Sequence, residues 1–306
     1  MVILEFKSYF SSELSDIYPK TEIDTFFFLL IDEYLGLQRI DTILKPDFNI
    51  DDEKLSILNN VIERLKKEEP IQYIIGKTEF YGYPFFVDEN TLIPRPETEE
   101  LVEWILKETL DKRTETRDKI QEARDIKILD IGTGTGCIPI SLAKNLAQSN
   151  ISAIDVSAEA LKVAKRNAVL NEVNVNFIEI DILKTNSLNG NENKTKQSQD
   201  KEIEFDIIIS NPPYVRELEK VEIQNNVLQN EPHLALFVAD DNPLVFYNKI
   251  ADLAKKHLSE KGILFFEINQ YLGKETVELL KYKGFQTVEL RKDLFQNDRM
   301  IRATLK

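Results

Sequence analysis

Two segments of the sequence contain residue types at spacings that could do chemistry, and the first is a glycine loop. The loop follows a run of apolar residues and consists of Asp130, Ile131, Gly132, Thr133, Gly134, Thr135, Gly136 and Cys137. Glycines at alternate positions permit a tight turn and let a ligand lie against bare backbone. Because ligands of open α/β sheets bind beyond the carboxyl ends of the strands, this loop predicts a binding site.

Two common nucleotide-binding patterns do not fit the glycine loop. A GxGxxG dinucleotide fingerprint that starts at Gly132 needs glycine or alanine at position 137, which is Cys137. A phosphate-binding P-loop ends in Gly-Lys-Ser/Thr, whereas Gly136 is followed by Cys137 and Ile138. The loop therefore suits a ligand with little phosphate, such as the amino acid end of S-adenosylmethionine.

Three carboxylates at the ends of consecutive predicted strands favour the same ligand. Asp130 can face an ammonium group, and Asp155, at the end of the next strand, can accept both hydroxyls of a ribose. Asp181 ends the third strand, within reach of an adenine amino group. Any one of these residues could instead serve as a turn or N-cap residue, but three in register with the glycine loop favour a ligand. Cys137 has no histidine beside it, and we interpret it as structural.

The second segment follows a buried-looking strand over 205–210, and its residues are Asn211, Pro212, Pro213 and Tyr214. The two prolines remove two backbone donors, which leaves the Asn211 side-chain oxygen and the Pro212 carbonyl as neighbouring acceptors. Two such acceptors bind an –NH2 group, and the Tyr214 ring can lie against the planar group that carries it. The tetrapeptide alone is also an ordinary turn, but its place after a strand favours a receptor for an amide or an aminopurine.

Methyl transfer to nitrogen is the reaction that this second segment favours. An amide nitrogen is a poor nucleophile because its lone pair is delocalised into the carbonyl. Fixed acceptors on both hydrogens would direct the lone pair at a sulfonium methyl and stabilise the positive charge that develops on nitrogen. Alignment alone supplies ~7–11 kcal/mol in well-oriented reactions. We expect no side-chain base to act before the transfer.

Strands and helices alternate after Pro94 and would position both segments. Strands are predicted over 127–131, 151–155, 175–180, 205–210, 263–268, 285–290 and 300–304, and helices over 138–147, 158–171, 243–258 and 274–283. The alternation predicts a Rossmann-like α/β sheet of seven strands with helices on both faces. The last two strands are too close in sequence for a helical crossover, so the last strand should be antiparallel.

Short amphipathic helices are predicted before this sheet, over 6–14, 21–35 and 51–67, with a β-hairpin over 78–92. We therefore predict an N-terminal helical domain over 1–76, a hairpin linker over 77–93 and a catalytic domain over 94–306. Arg95 and Glu97 either line the pocket or begin a helix with Pro96 at its first position, and the proline favours the helix. The composition of residues 185–202 predicts a polar, solvated insertion, to which we assign no function.

Composition limits the functions that are open to the chain. It has 306 residues, of which 42% are apolar, so disorder throughout is excluded. Proteins that bind free DNA usually carry an excess of Lys and Arg, whereas this chain has a net charge of −14. One cysteine and two histidines exclude an internal disulfide and leave little for a zinc site. The longest apolar runs have six residues and no basic n-region is present, so we expect a cytoplasmic protein with no membrane partner and no direct nucleic-acid partner.

Together these motifs resemble the class I S-adenosylmethionine-dependent methyltransferases, and more narrowly the HemK/PrmC family of peptide chain release factor N5-glutamine methyltransferases. Leu-Ile-Pro-Arg-Pro-Glu-Thr-Glu at 92–99 is similar to the segment by which that family enters its catalytic domain. Glu-Pro-His-Leu-Ala-Leu at 231–236 is similar to its E-P-x-x-A-L stretch, and Lys-Asp-Leu-Phe-Gln-Asn-Asp-Arg at 292–299 to its K-D-x-x-x-N-D-R. The helical N-terminus resembles the family's substrate-docking domain, so the resemblance covers nearly the whole chain.

The resemblance implies methylation of the glutamine side-chain amide in the Gly-Gly-Gln motif of bacterial release factors. S-adenosylmethionine would be the cofactor and S-adenosylhomocysteine the product. The same resemblance implies cofactor contacts from Gly132–Gly136, Asp155, Asp181 with Ile182, and Asn211. It also implies that Asn211–Tyr214 hold the glutamine, with Asn211, Pro212 and Tyr214 in the catalytic role. Two features depart from the family: the insertion over 185–202 is longer, and Phe-Val-Ala at 237–239 replaces glycine-rich residues, which would alter the path of that loop.

Two alternative functions remain open from the sequence. An amino-methyltransferase of the adenine N6 type, acting on a nucleic-acid base, uses the same Asn-Pro-Pro-Tyr segment but needs a flipped base and a basic groove. The net charge of −14 argues against this alternative. The other is a protein-binding scaffold that has kept the fold without activity, and the presence of Asp130, Asp155 and Asn211 argues against it.

Overall fold

The computed structural model describes residues 1–116, 125–188 and 203–306, and for residues 111–116 the backbone alone. The chain divides into two compact units: the first comprises Met1–Lys77 and Gln224–Asn230, and the second Thr78–Ile223 and Glu231–Lys306. Most of the predicted insertion, residues 189–202, lies outside the described residues. The domain roles and bounds derived from the sequence stay predictions, and nothing in the sequence pattern indicated that 224–230 belongs with the first unit.

The first unit is a group of amphipathic helices packed around a shared apolar core. Its helices before the hairpin are α1 (Ile3–Leu14), α2 (Lys20–Leu35), α3 (Asp41–Leu44), α4 (Asp52–Leu65) and α5 (Ile71–Ile75). Phe6, Phe27 and Leu58 are almost completely buried in this core. The side chain of Asp51 accepts a 2.8 Å hydrogen bond from the backbone N–H of Lys54, which satisfies one free donor at the start of α4. The three predicted helices are present, while the short α3 and α5 were not predicted.

A β-hairpin begins at Lys77, the last residue of this part of the first unit, and continues into the second unit. Strands β1 (Lys77–Phe80) and β2 (Tyr83–Phe86) form a two-stranded sheet. Tyr81 and Gly82 between them have φ values of 52° and 74°, as a two-residue hairpin turn requires. The rings of Phe80 and Phe85 meet edge to face with centroids 6.0 Å apart and are buried in the core of the second unit. The predicted hairpin is therefore present.

The rest of the second unit alternates strands and helices. Its strands are β3 (Ile126–Ile131), β4 (Ser149–Asp155), β5 (Asn176–Glu179), β6 (Phe205–Ser210), β7 (Val215–Arg216), β8 (Phe237–Val238), β9 (Leu258–Glu267), β10 (Thr287–Lys292) and β11 (Asp298–Thr304). The helices after the hairpin are α6 (Pro96–Thr116), α7 (Cys137–Asn145), α8 (Ala158–Leu170), α9 (Asn225–Asn230, grouped with the first unit), α10 (His233–Leu236), α11 (Val245–His257) and α12 (Gly273–Tyr282). A 3₁₀ helix spans Glu217–Glu222.

Seven of the described strands form one sheet in the order β10-β11-β9-β6-β3-β4-β5. Strand β11 pairs antiparallel with both neighbours, with Ile301 opposite Leu290 on one side and Phe266 on the other. The predicted sheet with an antiparallel last strand is therefore confirmed. Strand β3 pairs in parallel with β4 on one side and β6 on the other. The strand order reverses at β3, and such a reversal is where open α/β sheets bind ligands.

Apolar layers cover both faces of the sheet. Phe265 and Phe266 are consecutive residues of β9, and their side chains point to opposite faces because the side-chain period of a strand is two. Phe265 meets Trp104 of α6 edge to face at 5.5 Å, and Phe266 meets Tyr247 of α11 at 5.1 Å. Both contacts lie in large buried clusters, so the helices fix the central strands from both sides. None of the helices in the described ranges has the length and apolar character needed to cross a bilayer.

The segment that departs from the family pattern forms a strand. Phe237 and Val238 make up β8, which pairs in parallel with β7 directly after Tyr214. This small sheet was not predicted, because two-residue strands carry no periodicity. Strand β9 also starts five residues earlier than predicted, at Leu258. Its first residues include the polar stretch Ser259–Glu260–Lys261, which hides the strand pattern.

Candidate functional site

The glycine loop after β3 is held by unusual backbone angles. Gly132, Gly134 and Gly136 have φ values of 77°, 54° and 79°, which glycine adopts at little cost. A Cβ on Gly136 would lie 3.0 Å from Cδ1 of Ile140 and 3.2 Å from Cβ of Ala164. Glycine at 136 therefore serves the packing of α7 on α8, whereas a Cβ on Gly134 would meet nothing within 4 Å. The open space lies at the middle of the loop.

Asp130 is a buried carboxylate without a partner. Its exposed fraction is 1%, and within the described ranges neither carboxylate oxygen receives a hydrogen bond. Burial raises the pKa of the carboxyl to about 7. The hydroxyl of Thr133 is also buried and has no hydrogen-bond partner of normal geometry among the described residues, although its closeness to Asp130 partly offsets the rise in the pKa of that carboxyl. Buried polar atoms normally find partners, so these atoms fit a ligand that supplies donors, such as an ammonium group.

Asp155 ties the glycine loop to the end of β4. Its Oδ2 accepts a 2.8 Å hydrogen bond from the N–H of Gly134, and its Oδ1 accepts one of 2.9 Å from the N–H of Ser157. Burial raises the pKa of its carboxyl above the ordinary value. Because each carboxylate oxygen has two lone pairs, acceptor capacity remains for a hydroxyl.

Asp181 is placed differently from the prediction. Strand β5 ends at Glu179, so Asp181 lies two residues beyond the strand rather than at its last position. Its side chain makes a 2.8 Å ion pair with Lys184 and accepts from the N–H of Leu183. The hydrogen bond from Lys184 lowers the pKa of the Asp181 carboxyl. The neighbouring Ile182 is buried in the apolar cluster that also contains Phe266 and Tyr247.

The Asn-Pro-Pro-Tyr segment lies beside the glycine loop. A Cβ built on Gly132 would be 4.0 Å from the backbone carbonyl oxygen of Asn211. The hydroxyl of Ser210 donates a 2.7 Å hydrogen bond to the carbonyl of Ile131, which fastens the ends of β6 and β3 together. Asn211 is half-buried and its Nδ2 donates to the hydroxyl of Thr98 at 3.4 Å. Pro212 is buried. The two predicted segments are therefore neighbours.

Tyr214 is fixed by a buried network that sequence reasoning missed. Its hydroxyl donates to Oε1 of Glu267 at 3.2 Å, and its backbone carbonyl accepts from Asn269 at 2.9 Å. Nη1 of Arg299 lies 3.5 Å from the Tyr214 hydroxyl, and Nε of Arg299 lies 3.2 Å from the fully buried Asp293 side chain. Burial raises the pKa of the Tyr214 phenol, so the ring stays neutral.

Glu267 and Thr98 complete this network. Glu267 is 1% exposed, its Oε2 accepts a 2.6 Å hydrogen bond from the Thr98 hydroxyl, and burial raises the pKa of its carboxyl. A signal for Glu267 was available: it is a carboxylate at the end of an apolar strand, as Asp130 is. No signal pointed to Thr98 as a partner of Glu267, because the two residues meet only through the fold, 169 positions apart.

The segment over 92–99 is anchored by Glu231. One oxygen of the buried Glu231 carboxylate accepts from the N–H of Ile93 at 3.2 Å, and the other from Nη2 of Arg95 at 2.5 Å. Helix α6 begins at Pro96, so the interpretation that this proline occupies the first helical position is confirmed. Arg95 lies just before the helix and pairs with Glu231.

Burial raises the pKa of the Cys137 thiol to about 12, which agrees with a structural role.

The sheet order, the antiparallel last strand and a ligand edge at the strand reversal define a methyltransferase of the Rossmann-like class. Solved structures with a similar fold include the hMettl16 catalytic domain in complex with MAT2A 3′UTR hairpin 6, with a TM-score of 0.50 and 13% identity over 85% of this chain and 84% of that one. A second is human methyltransferase 10 domain containing protein, with a TM-score of 0.50 and 16% identity over 74% and 90% of the two chains.

Sequence comparison assigns the family. Models of the PrmC N-terminal domain and the methyltransferase small domain match residues 7–76 and 107–236. A release factor glutamine methyltransferase of Flavobacterium psychrophilum is 52% identical over 306 residues, all of both chains. One of Bacteroides thetaiotaomicron is 40% identical over 296 residues, 97% of this chain and 98% of the relative. The chain belongs to the release factor glutamine methyltransferase family, and the resemblance found in the sequence is confirmed.

Proposed function

We propose that this protein transfers the methyl group of S-adenosylmethionine to the side-chain amide nitrogen (N5) of the glutamine in the Gly-Gly-Gln motif of peptide chain release factors. The observation that carries the proposal is the adjacency of the two segments: the backbone oxygen of Asn211 lies 4.0 Å from where a Cβ of Gly132 would be. A binding site for the methyl donor at the glycine loop and a receptor for an –NH2 group would therefore share one edge of the sheet. The names of the relatives support release factors as the substrate.

The residues of the glycine loop fit this cofactor. The unpartnered carboxylate of Asp130 would hold the ammonium of the amino acid end, and the remaining lone pairs of Asp155 would accept the ribose hydroxyls. Gly134 leaves open space against bare backbone. Asp181, beside the buried Ile182, would turn from Lys184 to meet the adenine amino group. When bound, S-adenosylmethionine supplies an electrophilic methyl group on a sulfonium.

Asn211 and Pro212 would hold the substrate amide by its hydrogens. The Nδ2 of Asn211 faces Thr98, and within the described residues nothing donates to its Oδ1, so this oxygen is available as an acceptor. With the Pro212 carbonyl as the second acceptor, the nitrogen lone pair would be directed out of the amide plane, and positive charge on nitrogen would be stabilised as it develops. The ring of Tyr214, fixed through its hydroxyl, would cover one face of the amide.

Within the part of the chain that the structure describes, no residue around Asn211 and Tyr214 is free to act as a base before the transfer. Both carboxylate oxygens of Glu267 already accept hydrogen bonds, from Thr98 and from Tyr214. The phenol of Tyr214 is neutral because burial raises its pKa. The amide therefore keeps its proton until the carbon–nitrogen bond has formed, and the surplus proton leaves to solvent afterwards.

The partner and the location follow from the same proposal. We propose that residues 1–76, which contain the match to the PrmC N-terminal domain, dock the release factor, and that the protein acts in the cytoplasm. The net charge of −14 argues against a nucleic-acid substrate. The adenine N6 alternative gains nothing from the likeness to a structure in complex with RNA, because 13% identity supports the fold alone.

Mass spectrometry of a release factor after incubation with the protein and S-adenosylmethionine tests the proposed function. We expect a mass increase of one methyl group on the peptide that carries Gly-Gly-Gln. The control is the same release factor with glutamate in place of that glutamine, which should stay unmodified. DNA and RNA are assayed in parallel with labelled cofactor. Label in nucleic acid alone would overturn the proposal.

A further inference from the structure

The side-chain amide of Asn211 can face the substrate in two ways. Its oxygen and its NH2 group are nearly equal in size, so packing alone distinguishes them poorly. Only the oxygen can accept a hydrogen of a substrate –NH2 group. The opposite orientation would place two donors against each other. Some feature of the fold must therefore choose the orientation of this amide.

The hydroxyl of Thr98 makes that choice because its single hydrogen is already in use. Thr98 is 3% exposed and donates to Oε2 of Glu267 at 2.6 Å. A hydroxyl has one hydrogen to donate and lone pairs to accept with. Toward Asn211 the Thr98 oxygen can therefore act only as an acceptor. The Asn211 group that lies 3.4 Å from it must be Nδ2, which turns Oδ1 away from Thr98.

Glu267 in turn fixes the direction of the Thr98 hydroxyl. This carboxylate, 1% exposed at the last position of β9, accepts from Thr98 through Oε2 and from the Tyr214 hydroxyl through Oε1. An ionised carboxylate can only accept. Arg299 of β11 lies 3.5 Å from the same tyrosine hydroxyl and supplies a positive charge to the buried cluster. The hydroxyls of Thr98 and Tyr214 therefore both donate to Glu267, and the acceptor side of Thr98 is left for Asn211.

We propose that Thr98 and Glu267 are positioning residues that set the orientation of the Asn211 amide, so that Oδ1 rather than Nδ2 meets the substrate nitrogen. This inference rests on the proposed function, since it assigns a cause to the acceptor that the function needs. The same carboxylate also holds Tyr214, so Glu267 links the two sides of the substrate receptor. Neither Thr98 nor Glu267 touches the reacting atoms.

Replacing Thr98 tests this chain of hydrogen bonds from Glu267 through Thr98 to Asn211, which we call the relay. Thr98→Val keeps the shape and removes the hydroxyl, so the Asn211 amide is free to turn. Loss of one fixed acceptor in the transition state lowers turnover by roughly a hundredfold. Thr98→Ser keeps the hydroxyl, and we expect it to restore kcat to within a few-fold of the natural protein. Affinity for S-adenosylmethionine, measured by titration calorimetry, should be unchanged in both variants, which also shows that they are folded.

A double-mutant cycle with Asn211→Ala separates the relay from a general packing effect. If Thr98 acts only through the Asn211 amide, Thr98→Val should have little further effect on single-turnover methyl transfer once that amide is gone. Additive losses would overturn the relay, and so would a Thr98→Val protein with full kcat. Failure of the proposed function is a different result: the unaltered protein would methylate no release factor.

Glu267→Gln provides a second, independent variant. Arg299 donates to the Tyr214 hydroxyl, so that hydroxyl keeps donating toward position 267 and meets the oxygen of the introduced amide. The amide nitrogen then faces Thr98 and releases the Thr98 hydroxyl to donate to Asn211. The orientation of the Asn211 amide would then reverse, and kcat should fall as in Thr98→Val with cofactor affinity retained. A Glu267→Gln protein with an unchanged kcat would contradict the inference.

Discussion

The backbone N–H of Gly134 donates a 2.8 Å hydrogen bond to Oδ2 of Asp155. The residue expected to hold the ribose is thus also the residue that fixes the glycine loop after the neighbouring strand. A substitution at Asp155 would disturb the loop and the ligand contact together. Asn211 and Asp130 are therefore more informative positions for separating methyl transfer from cofactor binding.

Asn211→Ala should lower methyl transfer by roughly a hundredfold or more, in line with the loss of one transition-state hydrogen-bond partner. Affinity for S-adenosylmethionine should stay mostly intact. The measurement is single-turnover methylation of a release factor alongside calorimetric titration of the cofactor. Unchanged turnover would remove Asn211 from the mechanism.

Cofactor affinity should rise with pH through the titration of Asp130. Burial raises the pKa of this carboxyl to about 7, and only the ionised form pairs with an ammonium group. Between about pH 6 and pH 8 the ionised fraction grows roughly tenfold, and the association constant should follow it. Titration calorimetry at both pH values checks this, with Asp130→Asn as the matched control. A pH dependence that persists in Asp130→Asn would have another source.

The ligand-free protein should lose stability as pH rises from about 4 to about 7. The folded-state pKa of Asp130 lies above the ordinary value of 3.8, so the folded state binds this proton more tightly than the unfolded chain does. The free energy of unfolding of the second unit is therefore highest below about pH 4 as far as this group is concerned, and it falls as pH rises toward about 7. Asp130→Asn should flatten that part of a denaturant-derived stability profile. An equally steep profile in the variant would contradict the assignment.

Gly136→Ala should destabilise the second unit by about 2–3 kcal/mol. The added Cβ would meet Ile140 at 3.0 Å and Ala164 at 3.2 Å, at a residue whose φ is 79°. Gly284→Ala is the matched control, since its φ is 94° and a Cβ there would meet nothing within 4 Å. Comparing denaturant unfolding of the two variants separates the steric cost from the backbone cost. Equal losses would show that packing of α7 on α8 does not need glycine.

Arg95→Ala should cost about 1–3 kcal/mol, because it leaves the buried carboxylate of Glu231 with one donor fewer. Arg95 itself is one-third exposed, which places the expected value at the low end of that range. Adding Glu231→Gln to Arg95→Ala removes the buried charge and should recover part of the loss. Thermal and denaturant unfolding of the single and double variants measure the coupling.

The sequence was sufficient to predict the sheet, because its strands are apolar runs separated by helices with helical periodicity. It also located the glycine loop and Asn211–Tyr214, which follow strands that lie side by side. Asp181 was placed less well: the strand stops at Glu179, and the carboxylate pairs with the nearby Lys184. A strand end is set by pairing with its neighbour, which the sequence of one strand does not encode.

The network behind the site could not be predicted, since its members are far apart in the chain. Thr98 lies in the first turn of α6, and Glu267 lies at the end of β9. Their side chains meet only once the helix has packed on the sheet. The helix α6 itself was foreseen only at its start, from Pro96. The pairing of β7 with β8 depends on two residues in each strand, too few for any pattern.

Residues 224–230 return to the first unit after the chain has already entered the second. The side chain of Asn230 donates a 3.3 Å hydrogen bond to the carbonyl of Glu68, within that first unit. A gene fragment that stops after codon 77 would therefore encode the first unit without its helix α9. Swapping the first unit between relatives requires three junctions in the coding sequence, after codons 77, 223 and 230. Exchange at a single crossover would join helix α9 of one parent to the remaining helices of the other.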